Sequence, residues 1–332
     1  MNIRFDLPAE LSASAPPEAR GVARDGVRLL VASPAGVHHS VFSSLGSFLS
    51  AGDLLVVNTS GTLPAAVDAV RDGRPIAVHF STALDDGSWI VELRAPGGPL
   101  LDGRAGELVS LPGGASLTLQ APFAPGSRRL WRATVSVPVQ GFLASAGRPI
   151  RYGYVPGEWP LSDYQTVFAR EPGSAEMPSA ARPFTASLVT RLVSDGVLFA
   201  PLVLHTGVSS PEAGEPPQAE RYRVPPTTAA LVSWVRSQGG RVIAVGTTAA
   251  RALESAAQLG TASGWTNLVL GPERPARVVD GIVTGLHAPD ASHLLLLEAV
   301  AGRELVQRAY DAAVERKYLW HEFGDVSLLL RR

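Results

Sequence analysis

The spacing of apolar and polar residues changes character twice along the chain. Near the start, apolar runs at 27–32 and 53–57 flank a helical pattern at 41–49, which predicts two strands joined through a short helix. Between residues 63 and 155, short segments such as SWIVELR (88–94) alternate apolar with polar positions and are separated by glycine-containing turns. That pattern is typical of an antiparallel barrel or sandwich.

Helical and strand patterns mix again in the second half of the chain. The pattern predicts helices at 185–195, 227–238 and 292–317, the last broken near Gly302, and strands at 197–204, 241–245 and 326–330. The predicted fold class is therefore α/β with two domains, in which an inserted antiparallel β-barrel interrupts an α/β domain. The α/β domain takes residues 1–62 and 156–332, and the all-β insertion takes 63–155.

Composition narrows the function classes. The 29 basic and 30 acidic residues give a formal net charge of −1, which lacks the positive charge of a strong nucleic-acid binder. The chain has no cysteine, so disulfides, thiolate metal sites and cysteine nucleophiles are excluded, and its seven histidines show no metal-binding spacing. No apolar run reaches the length of a membrane span, so we expect a cytoplasmic protein that contacts no membrane and holds no metal.

The stretch RVIAVGTTAARALES (241–255) predicts a buried strand that turns into an amphipathic helix. Gly246 allows a sharp turn, and Thr247 or Thr248 is placed to cap the helix. Free backbone N–H groups at a helix start attract carboxylate or phosphate, and Arg251 lies one turn further on. The same pattern also fits an ordinary capped helix packed on a sheet.

Other polar residues lie at strand ends or in loops, where α/β proteins place their sites. Gln165, Thr166 and Arg182 lie in a loop that contains glycine and proline, which either presents them to a ligand or connects two elements. His205 ends an apolar strand and suits either a general base or a structural hydrogen bond. The link TGLHAPD (284–290) either caps the last helix or adds polar groups to a site.

Six short segments are informative through their order along the chain. They are LVVNTS (55–60), DYQTVF (163–168), LVLHTG (202–207), RVIAVGTTAARALESAA (241–257), DGIVTGLHAPDASHLLLLEAVAG (280–302) and AYDAAVERKYLWHEFGD (309–325). Together they resemble the S-adenosylmethionine:tRNA ribosyltransferase-isomerase family of queuosine biosynthesis. The resemblance spans essentially the whole chain, and it implies an α/β domain that carries an inserted barrel.

The resemblance implies a tRNA-modifying enzyme with S-adenosylmethionine as its co-substrate. The family transfers and isomerises the ribosyl group of that molecule onto 7-aminomethyl-7-deazaguanine in tRNA, which gives epoxyqueuosine. A base removes the proton from the ribose carbon beside the sulfonium, adenine leaves, the aminomethyl group attacks, and methionine departs. We therefore expect a monomer that binds S-adenosylmethionine and the tRNA anticodon loop.

The resemblance implies a catalytic or substrate-binding role for several polar residues of this chain. The implied catalytic residues are His205 and His287, either of which would serve as the base, and Asp290. Asp290 or Gln165 would hydrogen-bond the ribose hydroxyls. The implied substrate-binding residues are Gln165, Thr166, Arg182, Thr206, Glu220, Gly246 and Thr284, together with Thr247, Thr248 and Arg251 as the anchor of an anionic group.

Four stretches depart from the family pattern. Residues 178–184 (PSAARPF) replace P-T-A-G-L-H-F, so a glycine and a histidine are lost, and Arg182 is the candidate to compensate. Residues 207–211 and 218–220 replace G-A-G-T-F and H-S-E, and 57–66 lacks two arginines of N-N-T-R-V-I-P-A-R-L. This divergence leaves two alternatives open: a paralogue that uses S-adenosylmethionine on a different nucleoside or small molecule, and a catalytically silent ligand-binding protein.

Overall fold

A nine-stranded sheet and a closed barrel form the framework of the molecule, in a computed structural model that describes residues 3–124, 126–209, 218–289 and 291–331. The strands are β1 (Arg28–Ser33), β2 (Gly36–Val41), β3 (Leu54–Asn58), β4 (Ser60–Thr62), β5 (Ala66–Arg71), β6 (Arg74–Ala83), β7 (Trp89–Ala95), β8 (Gly98–Pro99), β9 (Leu108–Ser110), β10 (Ser116–Pro122), β11 (Leu130–Val135), β12 (Glu171–Ser174), β13 (Leu198–Leu204), β14 (Glu220–Arg223), β15 (Val242–Val245), β16 (Ser263–Thr266), β17 (Gly281–Gly285) and β18 (Val326–Leu330). The α-helices are α1 (Val139–Ala146), α2 (Ala186–Ser194), α3 (Pro226–Ser237), α4 (Thr247–Leu259), α5 (His293–Ala301) and α6 (Arg303–Glu315). None of the helices in these ranges combines the length and the apolar character that crossing a bilayer requires.

The large sheet has the order β16-β14-β13-β3-β15-β17-β18-β1-β2. Its central strands β13, β3, β15 and β17 run parallel, whereas β18 runs antiparallel to β17. Helices α3 to α6 cover one face, and α2 with the 3-10 helix Phe42–Phe48 covers the other. Every residue of β3 and β15 is buried, because both faces of the sheet are covered.

The carboxyl ends of the parallel strands meet at one edge of this sheet. Leu54 and Val56 of β3 join the core on one side, and Leu55 and Val57 join the core on the other. Because β13, β3, β15 and β17 run parallel, the chain leaves all four strands at the same edge of the sheet. Open α/β sheets form their ligand crevices at this edge.

Strands β5 to β7 and β9 to β11 form the closed antiparallel barrel, and β8 adds to the outside of β7. Pairing of β11 with β7 closes the circle. Alternate apolar residues such as Val67, Phe80 and Leu117 fill its interior. The predicted fold class, an α/β protein with an inserted antiparallel barrel, is confirmed, and the choice between barrel and sandwich is settled as a barrel.

The structure adds a helix to the predicted all-β segment and breaks the last predicted helix in two. Residues 63–155 are not all β, since α1 packs Val139 and Leu143, one turn apart, against the barrel core. The predicted break of the last helix near Gly302 is confirmed, because Gly302 has φ 80° and separates α5 from α6. The division of the chain at 62/63 and 155/156 stays a prediction.

A buried carboxylate ties α4 to the segment that precedes β17. Glu254 is fully buried, and its Oε1 atom accepts hydrogen bonds from the backbone N–H groups of Arg277, Val278 and Val279 at 3.0, 2.7 and 2.9 Å. We expect Glu254→Ala to lower the free energy of unfolding by about 3 kcal/mol, because three N–H groups lose their acceptor. Urea denaturation followed by tryptophan fluorescence measures the loss.

The matched control is Glu273→Ala, which removes an exposed carboxylate from a turn. We expect this variant to change the free energy of unfolding by less than about 0.5 kcal/mol. Equal losses in the two variants would contradict the role given to Glu254.

Candidate active site

A cleft of about 510 Å³ opens at the edge where the parallel strands end. Segments that follow the strands line it, and so does the segment 150–154 that returns from the barrel. The predicted site residues that line it are Thr206, Glu220, Gly246, Thr247, Thr248, Arg251, Thr284 and His287. Lining residues that the sequence interpretation missed include Tyr152, Tyr154, Glu176, His293, His321 and Glu322.

The start of α4 lines the cleft with free polar groups. Gly246 has φ 92° and ψ 158°, a backbone conformation that is essentially restricted to glycine. Its N–H donates to the Val283 carbonyl at 2.8 Å, which fixes the turn against β17. The next N–H groups, of Thr247 and Thr248, have no acceptor within the helix, and Asn58 Nδ2 donates to Thr248 Oγ1 at 3.2 Å. This geometry suits a carboxylate or another anionic group.

Arg251 is already engaged within the protein. Its guanidinium donates to Glu220 Oε2 at 2.6 Å and to the carbonyl oxygens of Gln218, Thr266 and Leu268 at 2.8, 3.0 and 3.1 Å. Burial raises the pKa of Glu220, although the charge of Arg251 opposes that shift. Arg251 thus lines the cleft while it pairs with Glu220 and braces α4 against β14 and β16, and its role as the anchor of an anionic group stays a prediction.

His287 lies in the cleft as a neutral imidazole. Its Nε2 atom is 2.9 Å from Thr284 Oγ1, and its ring stacks on His293 with centroids 4.5 Å apart. Burial, with the neighbouring histidines, holds the pKa of His287 well below its usual value, and burial lowers the pKa of His293 to about 4. Both rings are therefore uncharged at neutral pH, and an imidazole whose protonated form is so disfavoured is a weak proton acceptor.

The C-terminal segment adds a carboxylate that the sequence interpretation did not single out. Glu322 lines the cleft, and its Oε2 atom accepts a hydrogen bond from the Tyr154 hydroxyl at 2.7 Å. The Tyr154 ring stacks on His321 with centroids 4.1 Å apart. Burial raises the pKa of Glu322 to about 7, and the charge of Glu176 adds to the shift. The cleft thus contains a carboxyl group that titrates near neutral pH.

A second tyrosine and carboxylate pair lies beside the first. The Tyr152 hydroxyl donates to Glu176, which also accepts the Ser209 backbone N–H at 2.7 Å. Burial and the charge of Glu176 raise the pKa of Tyr152 well above its usual value. The spacing of these tyrosines is not a strand signal, because residues 152–155 form a turn in which the Val155 N–H donates to the Tyr152 carbonyl at 2.9 Å.

Of the predicted catalytic residues, His287 lines the cleft, His205 does not, and Asp290 lies outside the described residues. His205 Nδ1 is 2.8 Å from Ser60 Oγ, and its Nε2 is 3.6 Å from Glu171 Oε1. Burial lowers the pKa of His205. His205 thus lies at the end of β13 against β4 and β12, outside the lining of the cleft, and its role as base stays a prediction.

The loop before α2 also turns its predicted residues away from the cleft. Gln165 hydrogen-bonds both the N–H and the carbonyl of Thr62, at 3.0 and 2.8 Å, and Thr166 is buried outside the lining. Arg182 is buried and pairs with Glu18 at 2.9 Å. Gln165 and Arg182 hold the loop in place, whereas Thr166 Oγ1 has no hydrogen-bond partner among the described residues. None of the three lines the cleft, and their role as ligand contacts stays a prediction.

Comparisons with known proteins agree along the whole chain. The family model described as "Queuosine biosynthesis protein" matches residues 1–329. Relatives named S-adenosylmethionine:tRNA ribosyltransferase-isomerase include one from Thermotoga maritima, 33% identical over 98% of both chains. Another, from Rubrobacter xylanophilus, is 36% identical over 98% of this chain and 96% of the relative.

A solved structure gives the same result. The crystal structure of S-adenosylmethionine tRNA ribosyltransferase from Thermotoga maritima superposes with a TM-score of 0.56 and 28% identity, and it covers 99% of both chains. The chain belongs to the S-adenosylmethionine:tRNA ribosyltransferase-isomerase family of queuosine biosynthesis proteins.

Proposed function

We propose that this chain transfers and isomerises the ribosyl group of S-adenosylmethionine onto 7-aminomethyl-7-deazaguanine in tRNA, which gives epoxyqueuosine. The observation that carries the proposal is the match over nearly the full length of relatives named for this activity. The chain also retains the elements that such a reaction needs: an inserted barrel, a sheet edge and a cleft between them that is lined with polar groups.

The charge of the cleft suits a cationic substrate. Its described lining contains the carboxylates Glu176, Glu220 and Glu322 against a single guanidinium, that of Arg251, and burial keeps the lining histidines uncharged. S-adenosylmethionine carries a positive sulfonium, which an excess of buried negative charge stabilises. The aminomethyl group of the acceptor is a second cation that the same carboxylates attract.

The start of α4 supports binding of the methionine carboxylate. The N–H groups of Thr247 and Thr248 face a site where negative charge is favoured by the helix dipole. Arg251 contributes indirectly, because its ion pair with Glu220 fixes α4 against β14. The monomeric state, the anticodon-loop contact and the cytoplasmic location stay predictions.

The activity itself is tested by incubation with S-adenosylmethionine and tRNA that carries 7-aminomethyl-7-deazaguanine. We expect release of adenine and methionine together with formation of epoxyqueuosine, and mass spectrometry detects all three products. The control is the same tRNA without the aminomethyl base. Adenine release that does not depend on tRNA would point to a different acceptor, and thermal stabilisation by S-adenosylmethionine without adenine release would point to a silent binding protein.

Gly246→Ala tests the start of α4. We expect it to weaken S-adenosylmethionine binding by about tenfold, because the turn costs about 1–3 kcal/mol for any residue with a Cβ atom and the N–H groups shift. Calorimetry measures the Kd. The matched control is Gly260→Ala at the other end of α4, where φ is 70° and an added Cβ meets no atom within 4 Å. An equal Kd in both variants would contradict the proposal that the start of α4 binds S-adenosylmethionine.

His287→Ala and His205→Ala separate the two predicted histidines. We expect His287→Ala to lower turnover by about tenfold or more, because its ring lines the cleft. His205→Ala should leave the Kd for S-adenosylmethionine unchanged and cost about 1 kcal/mol of stability through the lost bond to Ser60. Single-turnover kinetics measures turnover, calorimetry measures the Kd and urea denaturation measures the stability. The opposite ranking of turnover would favour His205 as the base.

A further inference from the structure

The two carboxylate oxygen atoms of Glu322 differ in their surroundings. Oε2 accepts the hydrogen bond from Tyr154, whereas Oε1 is buried and has no partner among the described residues. A buried polar atom without a partner costs free energy, so native structures keep few of them. Glu322 lines the cleft, so this oxygen atom is a candidate acceptor for a proton or a donor of a bound substrate.

The other carboxylates of the described lining are already satisfied. Both oxygen atoms of Glu176 accept hydrogen bonds, one from Tyr152 and the other from Ser209. Those of Glu220 accept bonds from a backbone N–H and from Arg251. Glu322 thus differs from both in having one oxygen atom that accepts no hydrogen bond from the described residues.

We propose that Glu322 is the general base that removes the proton from the ribose carbon beside the sulfonium, and that Tyr154 positions it. The inference rests on the proposed function and names the residue for its first step. The C–H bond breaks, the proton forms an O–H bond with Oε1, and the electron pair stays on carbon beside the positive sulfur. An anion and a cation thereby become two neutral groups, so the step creates no net charge in the cleft.

The groups around Glu322 keep it ready to exchange a proton at neutral pH. Burial and the charge of Glu176 together raise the pKa of Glu322 to about 7, against the hydrogen bond from Tyr154, which lowers it. Tyr164 is neutral, since burial and the charge of Glu322 raise its pKa to about 12. His321, which stacks on Tyr154, has a pKa lowered by burial and is also uncharged. A base that titrates near the working pH is the most effective one.

The test uses S-adenosylmethionine deuterated at the ribose carbon beside the sulfonium. Loss of deuterium to solvent and release of adenine are measured in single turnover, and the Kd is measured by calorimetry. We expect Glu322→Gln to slow both processes by about a hundredfold or more while the Kd stays within about threefold of wild type. Glu322→Asp, which keeps the carboxylate, should recover part of the rate.

The pH profile separates a base from a structural residue. Wild-type activity should rise with pH through about 7, because the carboxylate accepts a proton only when it is ionised. Tyr154→Phe removes the hydrogen bond that lowers the pKa of Glu322. The rising limb of the pH profile should therefore move to higher pH by up to about one unit. Glu176→Gln, the matched control, removes a charge that raises the same pKa, so the limb should move downward.

Three results would overturn the proposal. The Glu322→Gln variant could keep more than about a tenth of the wild-type rate of deuterium loss, or it could no longer bind S-adenosylmethionine. The third is a pH profile whose rising limb moves in neither Tyr154→Phe nor Glu176→Gln. Failure of the proposed function has a different signature. If the wild type releases no adenine with the modified tRNA but loses deuterium in a way that depends on Glu322, the base stands and the overall reaction is the part that is wrong.

Discussion

The buried amide of Asn58 is the interaction on which the geometry of the cleft depends. Its Oδ1 atom accepts the N–H of Leu204, and its Nδ2 atom donates to the Leu204 carbonyl and to Thr248 Oγ1. One side chain at the end of β3 therefore joins the end of β13 to the start of α4. Every residue of β3 is buried, and so are the last three residues of β13, so burial alone discriminates weakly between registers here. The amide supplies the missing specificity, because a shifted register would leave it buried without partners.

Desolvation then decides which groups in the cleft carry charge. Burial disfavours the charged form of every titratable group, so it lowers the pKa of His287 and His293 and raises that of Glu322. In water the order of the two pKa values is the reverse, because that of an exposed histidine, about 6.5, exceeds that of an exposed glutamate, about 4.3. A histidine is therefore the natural candidate base from sequence, whereas burial in this cleft makes the Glu322 carboxylate a stronger proton acceptor than His287.

The sequence predicts the fold better than the site, for a physical reason. Apolar periodicity reports burial, and burial fixes the strands, the barrel and the glycine turn at Gly246. It does not report the direction in which a polar side chain leaves a strand end: His205 turns toward Ser60 while its neighbour Thr206 lines the cleft. Nor does it report pairing between distant residues, such as Arg182 with Glu18. Such pairs are formed by the tertiary structure and leave no local pattern.

The barrel is part of the site rather than an appendage to it. The segment that returns from it contributes Tyr154, whose hydroxyl holds Glu322 near the C-terminus. In the turn between β6 and β7, Asp85 pairs with Arg221 of β14 and accepts a hydrogen bond from Trp265 of β16. The barrel is thus attached both to the edge of the sheet and to the carboxylate in the cleft. A change in its position would move Tyr154 away from Glu322, which would shift the titration of that carboxylate, so the placement of the insertion and the chemistry of the cleft are physically linked.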